Sequence, residues 1–161
     1  MHFFKEEDIS IIITAVGSRA AELFRSGSYR CSGAVLCAVN EAAADPMPSD
    51  IAKLAAGFSG GIGQGCMCGA LSGGILALGL ALGQSFPGAD NRSVTAASKE
   101  LHTWFVKANG SSCCRVLIKG KGFGKKAHCT SLTKETAAKT AEIICRSFSA
   151  EMNIFTMHTR D

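Results

Sequence analysis

The sequence predicts an all-α protein, a compact multi-helix bundle around a buried, glycine-rich central helix. Three observations carry this. Apolar residues recur at three- and four-residue spacing in several separate stretches. No run of strand length alternates apolar and polar residues, and there is no internal repeat or linker. Between residues 54 and 89 there is no charged residue at all, so a helix in that span is apolar on every side and must be buried.

The elements follow in order. Glu6, Glu7 and Asp8 open a first helix, where acids meet the positive end of the helix dipole. Ile9, Ile12, Ile13, Val16, Ala20, Leu23 and Phe24 give it one apolar face, and Gly27 ends it. A second helix is expected over residues 28–44, with Cys31, Val35 and Val39 on one side. Pro46 and Pro48 stop it. A short helix follows, with Ile51, Leu54 and Ala55 as its buried side. Residues 57–65, GFSGGIGQG, are too glycine-rich for a regular element and read as a loop.

Residues 69–83 form the central helix. A membrane span needs about 20 predominantly apolar residues. Here the run stops at Gln84 and no basic flank fixes an orientation, so membrane insertion is not expected. Gly69 with Gly73, and Gly79 with Gly83, are small-residue pairs that let backbones approach closely, and such faces also suit a homodimer. Asp90 or Ser93 caps a fourth major helix bearing Val94, Leu101, Trp104 and Phe105, which ends at Gly110. Beyond an apolar turn, Val116-Leu117-Ile118, a basic loop (KGKGFGKK) leads to His128 and Cys129. The last helix is expected over residues 132–148, with Ala137, Ala141, Ile144 and Phe148 in register, and residues 151–161 as a loose tail.

The totals agree with one domain over residues 1–161. That length supports a core without disulfide staples. Eight cysteines in 161 residues fall below the ~8–10% of a disulfide scaffold. The opening MHFFKEEDIS has neither a basic n-region nor a cleavage site, which leads us to expect the reducing cytoplasm. The net charge of +4 is unevenly placed: Arg115, Lys119, Lys121, Lys125, Lys126, Lys134 and Lys139 face the single acid Glu135. This stretch reads as a solvated surface. Its sharper alternatives are an anionic partner, or a field that holds nearby thiols as thiolates. Aromatics are not interleaved with the lysines, so nucleic acid is not expected.

The cysteines carry the chemistry. Cys31 lies in the first turn or two of the second helix, where the dipole can lower a thiol pKa. Cys66 and Cys68 stand at the loop-to-helix junction of the central helix, a similar environment. Cys113 and Cys114 follow a helix end beside the fixed charge of Arg115, and Cys129 sits just ahead of the last helix. Four segments each deliver a thiol at or near a helix terminus, where amides can hydrogen-bond to sulfur and tune a cluster. Cys37 and Cys145, on apolar helix faces, read as small buried hydrophobes.

The stretches YRCSGAVL, GFSGGIGQGCMCGALSGGILALGLALG, CRVL and HCTSLTKETAAKTAEII, in this order, resemble the family described as putative redox-active proteins with the signature C_GCAxxG_C_C. The resemblance covers residues 8–149 and implies Cys31, Cys68, Cys114 and Cys129 as the family cysteines. It further implies a bacterial or archaeal origin, and a likeness to a domain of split-Soret cytochrome c that is associated with an iron–sulfur centre. No CxxCH is present, so haem is not implied. Cys66 and Cys113 lie outside the family set, as extra ligands, resolving thiols or sulfur-transfer sites.

Competing motifs fail. Gly61, Gly63 and Gly65 lack the final spacing of a dinucleotide fingerprint, and KGKGFGKK lacks the Ser or Thr of a phosphate loop, so no nucleotide is expected. His102 and His128 are ligands by type, with a surface position the plainer reading. There is no general base, so an ordinary hydrolase or transferase is not expected. The expectation is a small redox protein in which Cys31, Cys68, Cys114 and Cys129 meet. They would bind an iron–sulfur cluster or another thiophilic metal, or cycle between dithiol and disulfide, with Arg115 stabilising thiolate. The sequence identifies no redox partner. The alternatives are a non-enzymatic zinc–thiolate module and a membrane-associated partner subunit.

Overall fold

The computed structural model describes residue 4 and residues 8–158, with side chains as far as residue 149. Its described residues form seven α-helices and no strand longer than an isolated bridge.

Helix α1 (Ile9–Arg25) starts at Asp8, whose carboxylate accepts the Ser10 amide at 2.8 Å. Glu6 and Glu7, expected in the same turn, lie outside the described residues. Ile12, Val16, Ala20 and Leu23 are buried, whereas Ile9 is exposed. Residues 26–29 are spent closing α1: the Ser26 amide donates to Glu22 O and the Tyr29 amide to Leu23 O. Helix α2 (Cys31–Ala42) therefore begins at Cys31 rather than Ser28. It is buried from Ser32 to Asn40, and the Asn40 side chain exchanges two hydrogen bonds of 2.9 Å with the Met47 backbone, fixing the proline turn. Helix α3 (Ala52–Ala55) is a single turn flanked by tighter 3₁₀ turns. Ile51 and Ala55 are buried, but Leu54, expected inside, is 64% exposed, because so short a helix has room for only one inward face.

Helix α4 (Gly69–Leu82) is the central helix, packed against α2, α5 (Arg92–Asn109) and α7 (Lys125–His158). Gly73 lies so close to the Ser32 backbone that no Cβ fits between them. At Gly74 a Cβ would stand 2.7 Å from both Leu101 Cδ2 and Thr140 Oγ1. Close approach thus runs through Gly69, Gly73 and Gly74. Gly79 faces open space and Gly83 meets only its own helix, so the second expected pair joins nothing. The C-terminal end of α4 is only half-buried, at Leu80, Ala81 and Leu82. Among the described residues, no helix is long and apolar enough to cross a membrane.

Helix α5 is capped by Asn91, not by Asp90 or Ser93. Asp90 is engaged instead by the amide and guanidinium of Arg92. The helix ends at Gly110 with φ 78°. The expected apolar turn is the tail of a short helix, α6 (Cys114–Ile118). Helix α7 starts at Lys125, seven residues before the expected Leu132, because Gly124 is the last breaker and everything after it is compatible with a helix. Lys125, Lys126, His128 and Cys129 are therefore helical, and the basic loop shrinks to residues 119–124. α7 lies along α1 and also covers α2 and α4.

Candidate functional site

The path from residue 61 to residue 68 turns sharply. Gly61 has φ 66°, and a Cβ there would stand 2.9 Å from Cys114 Cβ, so only glycine serves. The segment is then clipped to the α5–α6 connection. The Cys68 amide donates to Ser112 O at 2.7 Å, the Cys114 amide donates to Cys66 O, and Met67 and Cys113 form an antiparallel bridge. These backbone bonds hold the start of α4 beside the start of α6. Gly69 is pressed against Cys31 Sγ, leaving no room for a side chain, and this brings the start of α2 to the same point.

The result is one cavity of about 30 Å³ with Cys31, Cys68, Cys114 and Cys129 in its wall, together with Leu132 and Thr133 of α7. Four thiols separated by up to 98 residues of sequence converge on it. A larger cavity of about 420 Å³ lies alongside and shares Cys31, Cys114, Cys129 and Ile118 with the first. Cys68 is the innermost thiol, 6% exposed.

Burial dominates the electrostatics. It pushes the Cys68 thiol up to about 11, against the pull of the Leu71 and Ala70 amides and with Cys31 and Cys114 adding to the rise. Burial also raises Cys114 and Cys129, each reinforced by Cys31 and opposed by Lys125. The expected dipole-lowered thiols are thus overturned at Cys68: the helix start is there, but desolvation outweighs it.

The remaining expected residues divide. Cys66 is exposed, and Cys113 Sγ donates to Gly65 O at 3.1 Å; neither lines the four-thiol cavity. Cys37 and Cys145 are buried away from it. Arg115 lines the larger cavity with its Nη2 donating to Gln64 O at 2.6 Å. His102 is exposed and His128 half-buried, and neither lines the two cavities.

A family model for putative redox-active proteins, C_GCAxxG_C_C, matches residues 29–143, more than half of the chain and all four converging cysteines. The chain belongs to the C_GCAxxG_C_C family. No curated protein and no solved structure matches it. The four cysteines that the resemblance implies, Cys31, Cys68, Cys114 and Cys129, are the four that share a cavity.

Sequence reasoning passed over two residues of this C_GCAxxG_C_C site. In the sequence Lys125 is one of a run of basic residues, and Thr133 carries no motif of its own. Both stand four positions from Cys129, hence on its face of α7, and that spacing was the available signal. Thr133 is fully buried and its Oγ1 has no hydrogen-bond partner. Thr130, Thr136 and Thr140 on the same helix instead donate to the carbonyl four residues back.

Proposed function

We propose that this protein is a redox carrier whose centre is held by Cys31, Cys68, Cys114 and Cys129, with an iron–sulfur cluster as the bound group. The observation that carries the reading is the shared cavity: four thiols from α2, α4, α6 and α7, with no carboxylate among its lining residues. Such an all-sulfur donor set suits soft metals and clusters.

Three features support a bound centre over a free dithiol pair. A fast exchanging thiol needs a lowered pKa, whereas burial raises Cys68, Cys114 and Cys129. A coordinating thiol is deprotonated outright by its metal, so burial does not oppose binding in the same way. The unpartnered Thr133 hydroxyl is a donor with nothing in the chain to receive it, beside the four sulfurs. Among the described residues no group of three or more His, Cys, Asp or Glu side chains is set to hold one metal ion. A cluster would take each thiolate on a different iron, so the four need not meet at one metal ion. The gap between the four thiols is about 30 Å³, the scale of one water; the sulfur-lined edge of the adjoining cavity, at Cys31, Cys114 and Cys129, supplies the remaining room and leaves the side lined by Arg30, Arg115 and Lys125 open.

The bound group would supply one-electron transfer. The chain's own contribution is to bring sulfur from the starts of α2, α4 and α6 and from one turn inside α7, to exclude water at Cys68, and to offer the Thr133 hydroxyl and the Lys125 charge beside the centre. Metal and sulfide analysis with visible absorbance on protein purified without oxygen tests this. We expect iron and a visible band, both lost in Cys68→Ser. Zinc without colour would replace the cluster by a structural site. A colourless, metal-free protein with freely titrating thiols at these four positions would overturn the reading.

A further inference from the structure

The larger cavity has a division of character that holding a centre does not require. One wall is sulfur: Cys31, Cys114 and Cys129. The rest of the lining includes Arg30, Arg115 and Lys125, and no acid. Arg30 immediately precedes Cys31, Arg115 immediately follows Cys114, and Lys125 stands four residues before Cys129. Each of the three outer thiols is therefore accompanied by its own cation from the same element or its cap. Arg115 is held in place by Gln64 O, and the field of Lys125 reaches Cys114 and Cys129. Three like charges around one concavity focus the potential inward and raise the local concentration of anions. Phe24 and Ile118 add apolar surface beside the thiols.

We propose that this cavity binds a small anion with a soft, sulfur-bearing end. Its charged oxygens would face Arg30, Arg115 and Lys125, and its sulfur would lie against Cys31, Cys114 and Cys129. At about 420 Å³ the space falls in the usual range for small-molecule sites. The proposal deepens the redox reading and rests on it for the role of the thiol wall as an electron-transfer centre. The binding itself rests on the cavity alone.

The test is isothermal titration of the full chain, purified without oxygen, with thiosulfate and with sulfate as a hard dianion of equal charge. We expect saturable thiosulfate binding, at least tenfold tighter than sulfate and weakening with added salt. Arg30→Gln and Lys125→Gln should each weaken it about five- to tenfold, the order of one charge contact about 4 Å long that water screens fully. Lys53→Gln, at an exposed lysine that pairs with Asp50 and does not line the cavity, should change nothing. Absence of saturation overturns the proposal. So does equal affinity for sulfate, or an equal loss in Lys53→Gln. Iron content and absorbance are measured on the same samples. Colour with no thiosulfate binding defeats the cavity proposal alone, and thiosulfate binding by a metal-free, colourless chain defeats the cluster reading alone.

Discussion

Thr133→Val separates what the empty protein loses from what the loaded protein needs. Valine keeps the shape and the β-branch of threonine, and the two have similar helix propensities, so the substitution removes little beyond the hydroxyl. That hydroxyl is fully buried with no partner, while Thr136 one turn on donates to Leu132 O at 2.6 Å. A buried, unsatisfied polar group costs about 1–3 kcal/mol. In a chain of this size 1 kcal/mol corresponds to roughly 2–4 °C in melting temperature. The metal-free Thr133→Val protein should therefore melt higher than its parent by at least about 2 °C, whereas Thr136→Val should not. In protein carrying the centre the sign of the argument changes. A hydroxyl donating to a cluster sulfur favours the more negative, reduced state, so the variant's reduction potential should fall. Differential scanning calorimetry of the metal-free chain and redox titration of the loaded one give the two numbers. A metal-free variant no more stable than its parent would show that the hydroxyl is already satisfied in the empty protein, by the chain or by a water in the adjoining cavity, and the orphan-donor argument would fail.

Other predictions come from the central helix and from the innermost thiol. Gly73→Ala should destabilise by about 1–3 kcal/mol or more, because its Cβ meets the Ser32 backbone and neither helix can yield without losing packing. Gly79→Ala, six residues on in the same helix with open space around it, should stabilise by about 0.5–1 kcal/mol. Thermal melts of the pair check both signs. The raised Cys68 pKa makes the metal-free fold sensitive to alkali. The folded chain keeps a proton there up to about pH 11 that the unfolded chain gives up near its ordinary thiol value. The contribution is therefore whole below that ordinary value and is lost as pH rises through about 11. With roughly two pH units between the two states, about 2 kcal/mol is at stake. Urea melts at pH 8 and pH 11 should show the parent losing about that much more than Cys68→Ala; parallel losses would contradict it.

What the sequence made legible follows the range of the interactions involved. Helix existence was readable, because a face such as Ile12, Val16, Ala20 and Leu23 is a local repeat, and Gly69 and Gly73 signalled a close backbone approach on α4, though not that α2 makes it. Helix boundaries were less legible, even where their causes are local. The start of α2 moved because Tyr29 closes onto Leu23, and the start of α7 moved to Lys125 because nothing after Gly124 breaks the helix. The four cysteines were legible as chemistry, and their common cavity was an expectation that depended on a backbone clip between residues 66–68 and 112–114. Nothing in a linear pattern announces that clip, since it is made of main-chain groups that every residue possesses.

The structure departs furthest from the sequence expectation in the environment of sulfur. Placing Cys68 at a helix start suggested a lowered pKa, but a helix terminus contributes a fraction of a charge at its end, while full desolvation of a thiolate costs several times more. Which effect wins depends on whether the terminus opens to water or into a packed core, and α4 opens into the core. The same fact separates the inner thiol from the outer three. Cys68 faces only the small cavity, whereas Cys31, Cys114 and Cys129 also border the space flanked by Arg30, Arg115 and Lys125. A buried thiol behind and three cation-accompanied thiols in front make one side of the site an anchor and the other an entrance. An anionic ligand reaching the centre would therefore meet Cys31, Cys114 and Cys129 before Cys68.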